Sequence, residues 1–528
     1  MIQSAFQSHF AQIPSINRPR SSFRRVSRSK HTFDEGLLIP VYLDEVLPGD
    51  TFNVKANMFA RLATPIFPLM DNMYLETFWF FVPNRLVWDN FVKQHGEQVD
   101  PGDSTDYTTP VIDSATQTGI HVAVGTLWDN FGLPIVGPSH ASNISALPFR
   151  MYNLIWNDWF RDQDLQDSVT VARTDGPDNL NLYSLLRVAK FKDAFTTCRP
   201  FPYKGPDVFL PMGSQADVMS TGEIPSFQKY GGSAEVGLAS QNGVNPAAYF
   251  SGTVAGPASM VFGTNTGLEV DYATGVGPTL NEWREAVTVI QAYELDARGG
   301  TRYIEMLYNH FGVVNPDFRL QRPEFLGSHR AQVNIHPVPQ TSESNTTPQA
   351  NLSAFGTVAT GPGNGFVKTF TEFGYVFGLV AVRSDITYQE QIEDHWNRQT
   401  RFDYYYPNFA NLGEEAVLRK RVSVNPAGTG AFDDLVFGYQ ERWYSYRYKT
   451  SKITGLFRSA AAGTLDTWHL AQEFGESPQL DSSFIQEQAP VDRVIAVPSE
   501  PHFIFDMYVE NVSARPMPVY SVPGLTRI

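Results

Sequence analysis

Hydrophobic and polar positions alternate with period two near both ends of the chain and lose that rhythm in the middle. From Thr51 onward, Phe52, Val54, Ala56 and Met58 fall on one face and Asn53, Lys55 and Asn57 on the other, the pattern of a half-buried strand. Phe503, Phe505, Met507 and Val509 alternate in the same way with Ile504, Asp506, Tyr508 and Glu510. Residues 73–82 are apolar or aromatic except for Glu76 and Thr77, and residues 374–383 form a similar run. Such short continuous runs predict buried strands, the first stopped by Pro83. Strands are therefore expected across 37–82, with a turn at Pro48-Gly49-Asp50. They resume at Val333 and Ile335, and Tyr444, Tyr446 and Tyr448, alternating with Ser445, Arg447 and Lys449, read as one more strand.

Between these regions the period changes. Helices are predicted around 84–95 and 149–161, the second marked by Trp156, Trp159 and Phe160. Residues 212–278 hold twelve glycines and a single basic residue, Lys229. A stretch this long without helical period is uncommon unless functional or disordered; Val236, Leu238, Val254 and Val261 favour short strands in an exposed insertion. Thr279 and Glu282 then have the spacing of a capping box. Trp283, Ala286, Val287, Ile290, Tyr293 and Ala297 recur at three and four residues, up to Gly299-Gly300. A second helix is expected over 302–311. The simplest architecture is mainly β: one antiparallel sandwich with strands from both ends of the chain, long inserted loops and a few helices. The expected domains are an N-terminal arm, 1–33, and a single domain, 34–528, interrupted by an insertion at 83–300 that contains the Gly-rich surface segment 212–278.

Charge divides the chain differently. The total is −15, yet residues 1–33 contain no Asp or Glu and carry Arg18, Arg20, Arg24, Arg25, Arg28 and Lys30, a net of +6. A basic arm on an acidic body points to two partners. These six side chains are candidate nucleic-acid contacts, able to neutralise phosphates without reading sequence, with Phe23 placed to stack on a base. A solvated tail, or an arm docked on a neighbouring subunit, is the plainer alternative. The 70 aromatic side chains, and 29 Arg among 40 basic residues, match the composition of protein–protein interfaces. A large β core in an Arg-rich proteome would give the same counts.

Candidate chemistry is sparse. Cys198 is the single cysteine, which excludes an intrachain disulfide and any cysteine-based zinc site and fits a reducing compartment. No apolar run approaches the roughly 20 residues of a membrane span, so no membrane insertion is expected, nor is a signal peptide. No zinc-protease, nucleophile-elbow or phosphate-loop motif occurs. Gly361-Pro-Gly363-Asn-Gly365 lacks the strand–loop–helix setting of a dinucleotide fingerprint and reads as a turn. Glu390, Glu393 and Asp394, near His395, Trp396, Asp403 and Tyr404–Tyr406, could bind or cleave sugar, or form an exposed helix followed by an aromatic packing segment. No catalytic, metal or cofactor site is assigned.

Longer blocks carry a family likeness. Phe33-Asp-Glu-Gly-Leu-Leu-Ile-Pro-Val-Tyr-Leu-Asp-Glu-Val-Leu-Pro-Gly-Asp50, Ala60-Arg-Leu-Ala-Thr-Pro65 and Leu75-Glu-Thr-Phe-Trp-Phe-Phe-Val-Pro-Asn-Arg-Leu-Val-Trp88 resemble the opening of gokushovirus-type microvirus (Microviridae) major capsid proteins. Arg442-Trp-Tyr-Ser-Tyr-Arg-Tyr-Lys-Thr-Ser-Lys-Ile-Thr-Gly-Leu-Phe-Arg458 and residues 481–512 are similar to the family's C-terminal part. The resemblance implies an eight-stranded antiparallel viral jelly roll and a T=1 icosahedral, sixty-subunit shell built from pentamers. It implies a circular single-stranded DNA genome inside the virion, with assembly in the bacterial host cytoplasm. A small basic internal DNA-binding protein, a scaffolding protein and a host surface receptor are the implied partners, and the 212–278 segment lies where the family builds threefold protrusions. As aromatic and Arg anchors of the kind interfaces use, Arg442, Trp443 and Arg447 are expected either in the sandwich or near its inner surface. The competing classes are a carbohydrate-binding or glycan-cleaving β-sandwich and a phage receptor-binding fibre.

Overall fold

The computed structural model describes residues 19–112, 122–136, 144–209, 217–221, 226–229, 235–240, 248–250, 260–262, 268–271, 279–314, 316–317, 319–425, 428–474 and 478–520. Two compact units emerge, one formed by residues 1–202 with 313–528 and the other by 203–312.

The strands, in chain order, are β1 (Ser21–Phe33), β2 (Ile39–Val46), β3 (Thr51–Leu62), β4 (Met73–Pro83), β5 (Asp217–Ser220), β6 (Ser226–Lys229), β7 (Glu235–Ser240), β8 (Ala248–Phe250), β9 (Met260–Phe262), β10 (Leu268–Asp271), β11 (Glu324–Gln332), β12 (Asn334–Pro339), β13 (Leu352–Thr369), β14 (Gly374–Ser384), β15 (Glu414–Leu418), β16 (Val436–Glu441) and β17 (Phe503–Arg515). In the larger unit, a five-stranded sheet in the order β1-β17-β3-β13-β12 accompanies a four-stranded sheet in the order β11-β4-β14-β2. Every pairing in the two sheets is antiparallel. Only the buried Val333 separates β11 from β12, so one bent strand serves both sheets and the sandwich has eight. The chain passes from one sheet to the other through β1, β2, β3 and β4, and the last strand, β17, inserts between β1 and β3. This is a jelly roll.

The two sequence patterns have one physical cause. The five-stranded sheet packs its inner face on the core, through Phe52, Val54, Ala56, Met58, Phe503, Phe505, Met507 and Val509, and leaves its other face to solvent, so its strands alternate. The four-stranded sheet is covered on both faces. Trp79, Phe81, Val376 and Val380 join the sandwich core. Phe80, Val82, Phe377 and Leu379 join a second core with Phe149, Met151 and Tyr152 of the helix Leu147–Ile155. A strand buried on both faces has no polar side to show, hence the unbroken runs of β4 and β14.

Three expectations differ from the structure. Residues 21–33, expected in an arm outside the domain, form β1, paired with β17 along its whole length. The Gly361–Gly365 segment lies inside β13 as a bulge, where the register to β3 shifts between Thr360 and Asn364. The glycines there let the strand swell by two residues and swing Asn364 into the core. Finally, Tyr444–Tyr446 is a 3-10 turn and no strand. Trp443, at φ 65°, reverses the chain after β16; burial of its ring and a 3.1 Å bond from its indole N–H to the Phe409 carbonyl hold that left-handed geometry. Trp443 thus belongs to neither sandwich core.

The smaller unit contains β5–β10, as a two-stranded sheet (β10-β5) and a four-stranded one (β8-β7-β6-β9). The helix Leu280–Gly299 starts with the predicted Thr279–Glu282 capping box, and the helix Tyr303–Phe311 follows. Of the expected 212–278 insertion, only these short strands and Thr221 lie within the described residues.

Candidate nucleic-acid and assembly surface

Strand β1 alternates about the five-stranded sheet. Arg24, Val26, Arg28 and Lys30 face outward and are exposed, while Phe23, Arg25, Ser29, His31 and Phe33 point toward the sandwich. The six candidate cations therefore separate. Arg18 lies outside the described residues. Arg20 caps the turn before β3, donating to the Gly49 carbonyl at 2.5 Å and to Thr51 Oγ1 at 2.9 Å. Arg25 is a clamp between the sheets: it bonds Asp44 of β2 at 2.8 Å and lies 5.1 Å from the centre of the Phe52 ring. Asp44 also accepts from Tyr42 Oη at 2.8 Å and Asn511 Nδ2 at 3.1 Å, so Arg25 is committed to the fold.

Arg24, Arg28 and Lys30 remain, and the register adds neighbours that sequence reasoning missed. Lys30 sits opposite Asp506, which sits opposite Phe59; Arg28 sits opposite Tyr508; Val26 sits opposite Glu510, which sits opposite Lys55; Ile504 sits opposite Arg61. The outward face of β1, β17 and β3 thus gathers Arg24, Arg28, Lys30, Lys55 and Arg61 against Asp506 and Glu510, a net of +3 on a chain of −15. Arg24 is spent on Glu510 at 2.5 Å. The Arg28 guanidinium lies 5.5 Å from the Tyr508 ring centre. Phe59, Ile504 and Val512 are exposed beside these cations. The missed signal was the outward half of the period-two pattern in β3, which includes Lys55 and, carried past Met58, also Phe59 and Arg61.

Of the candidate carboxylates near Tyr404–Tyr406, Glu390, Glu393 and Asp394 are each held by a cation, while Asp403 accepts from backbone amides. Glu390 pairs with Arg458 at 2.6 Å, Glu393 with Lys452 at 3.0 Å and His395 at 3.2 Å, and Asp394 with Arg421 at 2.6 Å. The Lys452 hydrogen bond moves the Glu393 carboxyl below its ordinary range, the opposite of what a general acid for glycosidic cleavage needs. The helix there spans only Asp394–Asn397. Among the described residues no group of His, Cys, Asp and Glu side chains could hold a metal ion, and no helix is long and apolar enough to cross a membrane.

The comparisons with known proteins settle the class. The family model for the phage capsid protein (F protein) matches residues 11–525. The chain belongs to this capsid protein family. It is 43% identical to the capsid protein VP1 of Bdellovibrio phage phiMH2K, over 98% of each chain. It is 38% identical to the VP1 of Chlamydia phage 1, over 100% of this chain and 99% of that one, and 33% identical to the VP1 of Spiroplasma virus 4, over 98% of each. These are gokushovirus-type microvirus proteins. The chain is a major capsid protein, a structural component of the virion that assembles into a multimeric shell.

Proposed function

We propose that this capsid protein closes a T=1 shell of sixty subunits around a circular single-stranded DNA genome, with the outward face of the five-stranded sheet turned toward that DNA. The observation that carries the proposal is the concentration of Arg28, Lys30, Lys55 and Arg61 beside Tyr508 and Phe59 on one sheet face, on a body that is otherwise acidic. Cations that track a backbone, interleaved with rings on which bases stack, are the parts of a sequence-tolerant single-strand surface. Pentamers are the expected assembly intermediates, formed in the host cytoplasm with a scaffolding protein. A small basic internal protein would share the neutralisation of the genome. The insertion built on residues 203–312 is assigned to attachment at a host surface receptor.

The test is neutralisation of Arg28, Lys30, Lys55 and Arg61 to Gln. Four phosphate contacts to a single strand give a log–log salt slope of about −3, and the variant should lose it. Particles should still form, with DNA content well below wild type by absorbance ratio and density. Wild-type DNA content in the variant particles, with an unchanged salt slope, would refute the assignment of this face.

A further inference from the structure

The segment between β14 and β17 builds a cavity of about 350 Å³ that the sheet face does not involve. It is lined by Phe195, residues 391–395, Arg398, Arg421 and residues 444–450. The acids on those walls are already matched, Glu393 by Lys452 and His395 and Asp394 by Arg421. Of the cations on the same walls, Arg447 is paired with Glu441.

Two cations are left over. Arg398 is half-buried, donates to Ser445 Oγ at 3.2 Å and lies 4.2 Å from the Tyr446 ring centre and 5.9 Å from that of Tyr404. Among the described residues no carboxylate forms an ion pair with it. The nearby Asp403 accepts from the backbone amides of Gln399 and Thr400, at 2.9 and 2.7 Å, and interacts with Arg398 by charge without pairing with it. Lys449 is exposed and likewise forms no ion pair among the described residues, although its charge reaches Glu393. Tyr446 and Tyr448 stand beside them with about half of their surface in solvent.

A positioned guanidinium outside any ion pair can still accept an anion through its free N–H donors, and exposed rings next to it offer stacking faces. The volume lies at the small end of the roughly 300–1,000 Å³ range of ligand pockets, which suits one nucleotide better than a folded partner. A duplex could bring phosphates to Arg398 and Lys449, but its bases are paired and stacked out of reach; a single strand can turn one into the cavity. We infer that this cavity is a second single-stranded DNA site, taking a phosphate on Arg398 and Lys449 and a base against Tyr446 or Tyr448. The inference rests on the reading that the shell encloses single-stranded DNA, and it concerns a site separate from the sheet face.

The experiment is photocrosslinking of a short deoxyoligonucleotide carrying 5-iodouracil to the full-length protein, with adducts mapped by mass spectrometry. Affinities are read in parallel by fluorescence anisotropy. Adducts are expected on Tyr446 or Tyr448. The double variant Arg398→Gln, Lys449→Gln should bind about tenfold more weakly and lower the log–log salt slope by about 1.4, the share of two phosphate contacts. Tyr448→Ala and Lys449→Gln, both at exposed positions, should each weaken binding severalfold and cover the case in which losing Arg398 unfolds the segment. Adducts confined to Tyr508, with these variants binding like wild type, would overturn the cavity site and leave the sheet face standing. No adducts anywhere would remove both. An abasic oligonucleotide that binds as tightly as the normal one, or displacement by millimolar inorganic phosphate, would reduce the cavity to a phosphate site and overturn the inference as stated.

Discussion

Arg150 and Asp178 are both almost completely buried, and such a pair survives only if every hydrogen-bonding group is met. Here Arg150 reaches both Asp178 oxygens at 2.6 Å and the carbonyls of Val87 and Thr174 at 3.0 and 2.9 Å. Tyr183 donates its hydroxyl to Asp178 at 2.5 Å, and burial, with the carboxylate beside it, pushes that phenol far above its ordinary range. Asp178→Asn keeps the shape and strands the guanidinium charge. The expected loss is about 3–5 kcal/mol in the unfolding free energy of the subunit, measured by urea titration. A loss below 1 kcal/mol would mean the pair is not acting as a buried charge pair. His502 gives a pH signature. Burial works against its charge, but hydrogen bonds to Glu35 and Asp492 and the charges of Glu35 and Asp34 outweigh burial and raise it to about 9. A histidine raised above its unfolded value of ~6.5 contributes stability that is full below pH ~6.5 and is lost as pH rises through 9. The melting temperature of His502→Gln should therefore lie below wild type at pH 6, and the gap should close by pH 9.5; a gap constant with pH would remove the assignment.

At the scale of elements, the β13 bulge joins backbone irregularity to the core. Asn364 is buried and its Oδ1 accepts from Trp79 Nε1 at 3.0 Å and Thr77 Oγ1 at 3.1 Å. Asn364→Ala leaves both donors buried without that partner, at an expected cost of about 1–3 kcal/mol. Denaturant unfolding would give the cost, and near-ultraviolet circular dichroism would report the loosened indole. The bulge was not legible in sequence because a Gly-rich run marks a turn and a bulge equally well. Strands β3, β4, β14 and β17 were legible, since core contact on one face or two writes itself into the hydrophobic pattern. Strand β1 was not. Between Phe23 and Phe33 its inward row is polar, with Arg25, Ser29 and His31 meeting Asp44, the Val41 carbonyl and Asn130 at 2.8, 3.2 and 3.2 Å. An edge strand held through its middle by polar bonds carries no continuous apolar stripe, and its charge made it look like a tail. The same gap hid half of the candidate surface, because Lys55 and Arg61 join Arg28 and Lys30 only through the β1–β17–β3 register.

For the whole molecule, the decisive feature is where the long middle of the chain is spliced in. Strands β4 and β11 pair directly, with Phe81 opposite Glu324 and Tyr74 opposite Gln332, although some 240 residues separate the end of one from the start of the other. Closing so long a loop costs little more than closing one half its length, about 0.6 kcal/mol per doubling, and among the described residues the buried sandwich core includes none from 203–312. The sandwich is therefore expected to keep its stability without residues 215–275, which would leave selection on that segment free to follow a surface task. Replacing residues 215–275 with a short Gly-Ser linker should leave the subunit melting temperature within a few degrees of wild type and particles of unchanged sedimentation, while adsorption to host cells falls by an order of magnitude or more. Normal adsorption by such particles would take attachment away from the insertion. Intact subunits that no longer assemble would show instead that it is an assembly element, with its exposed residues spent on neighbouring copies and not on a receptor.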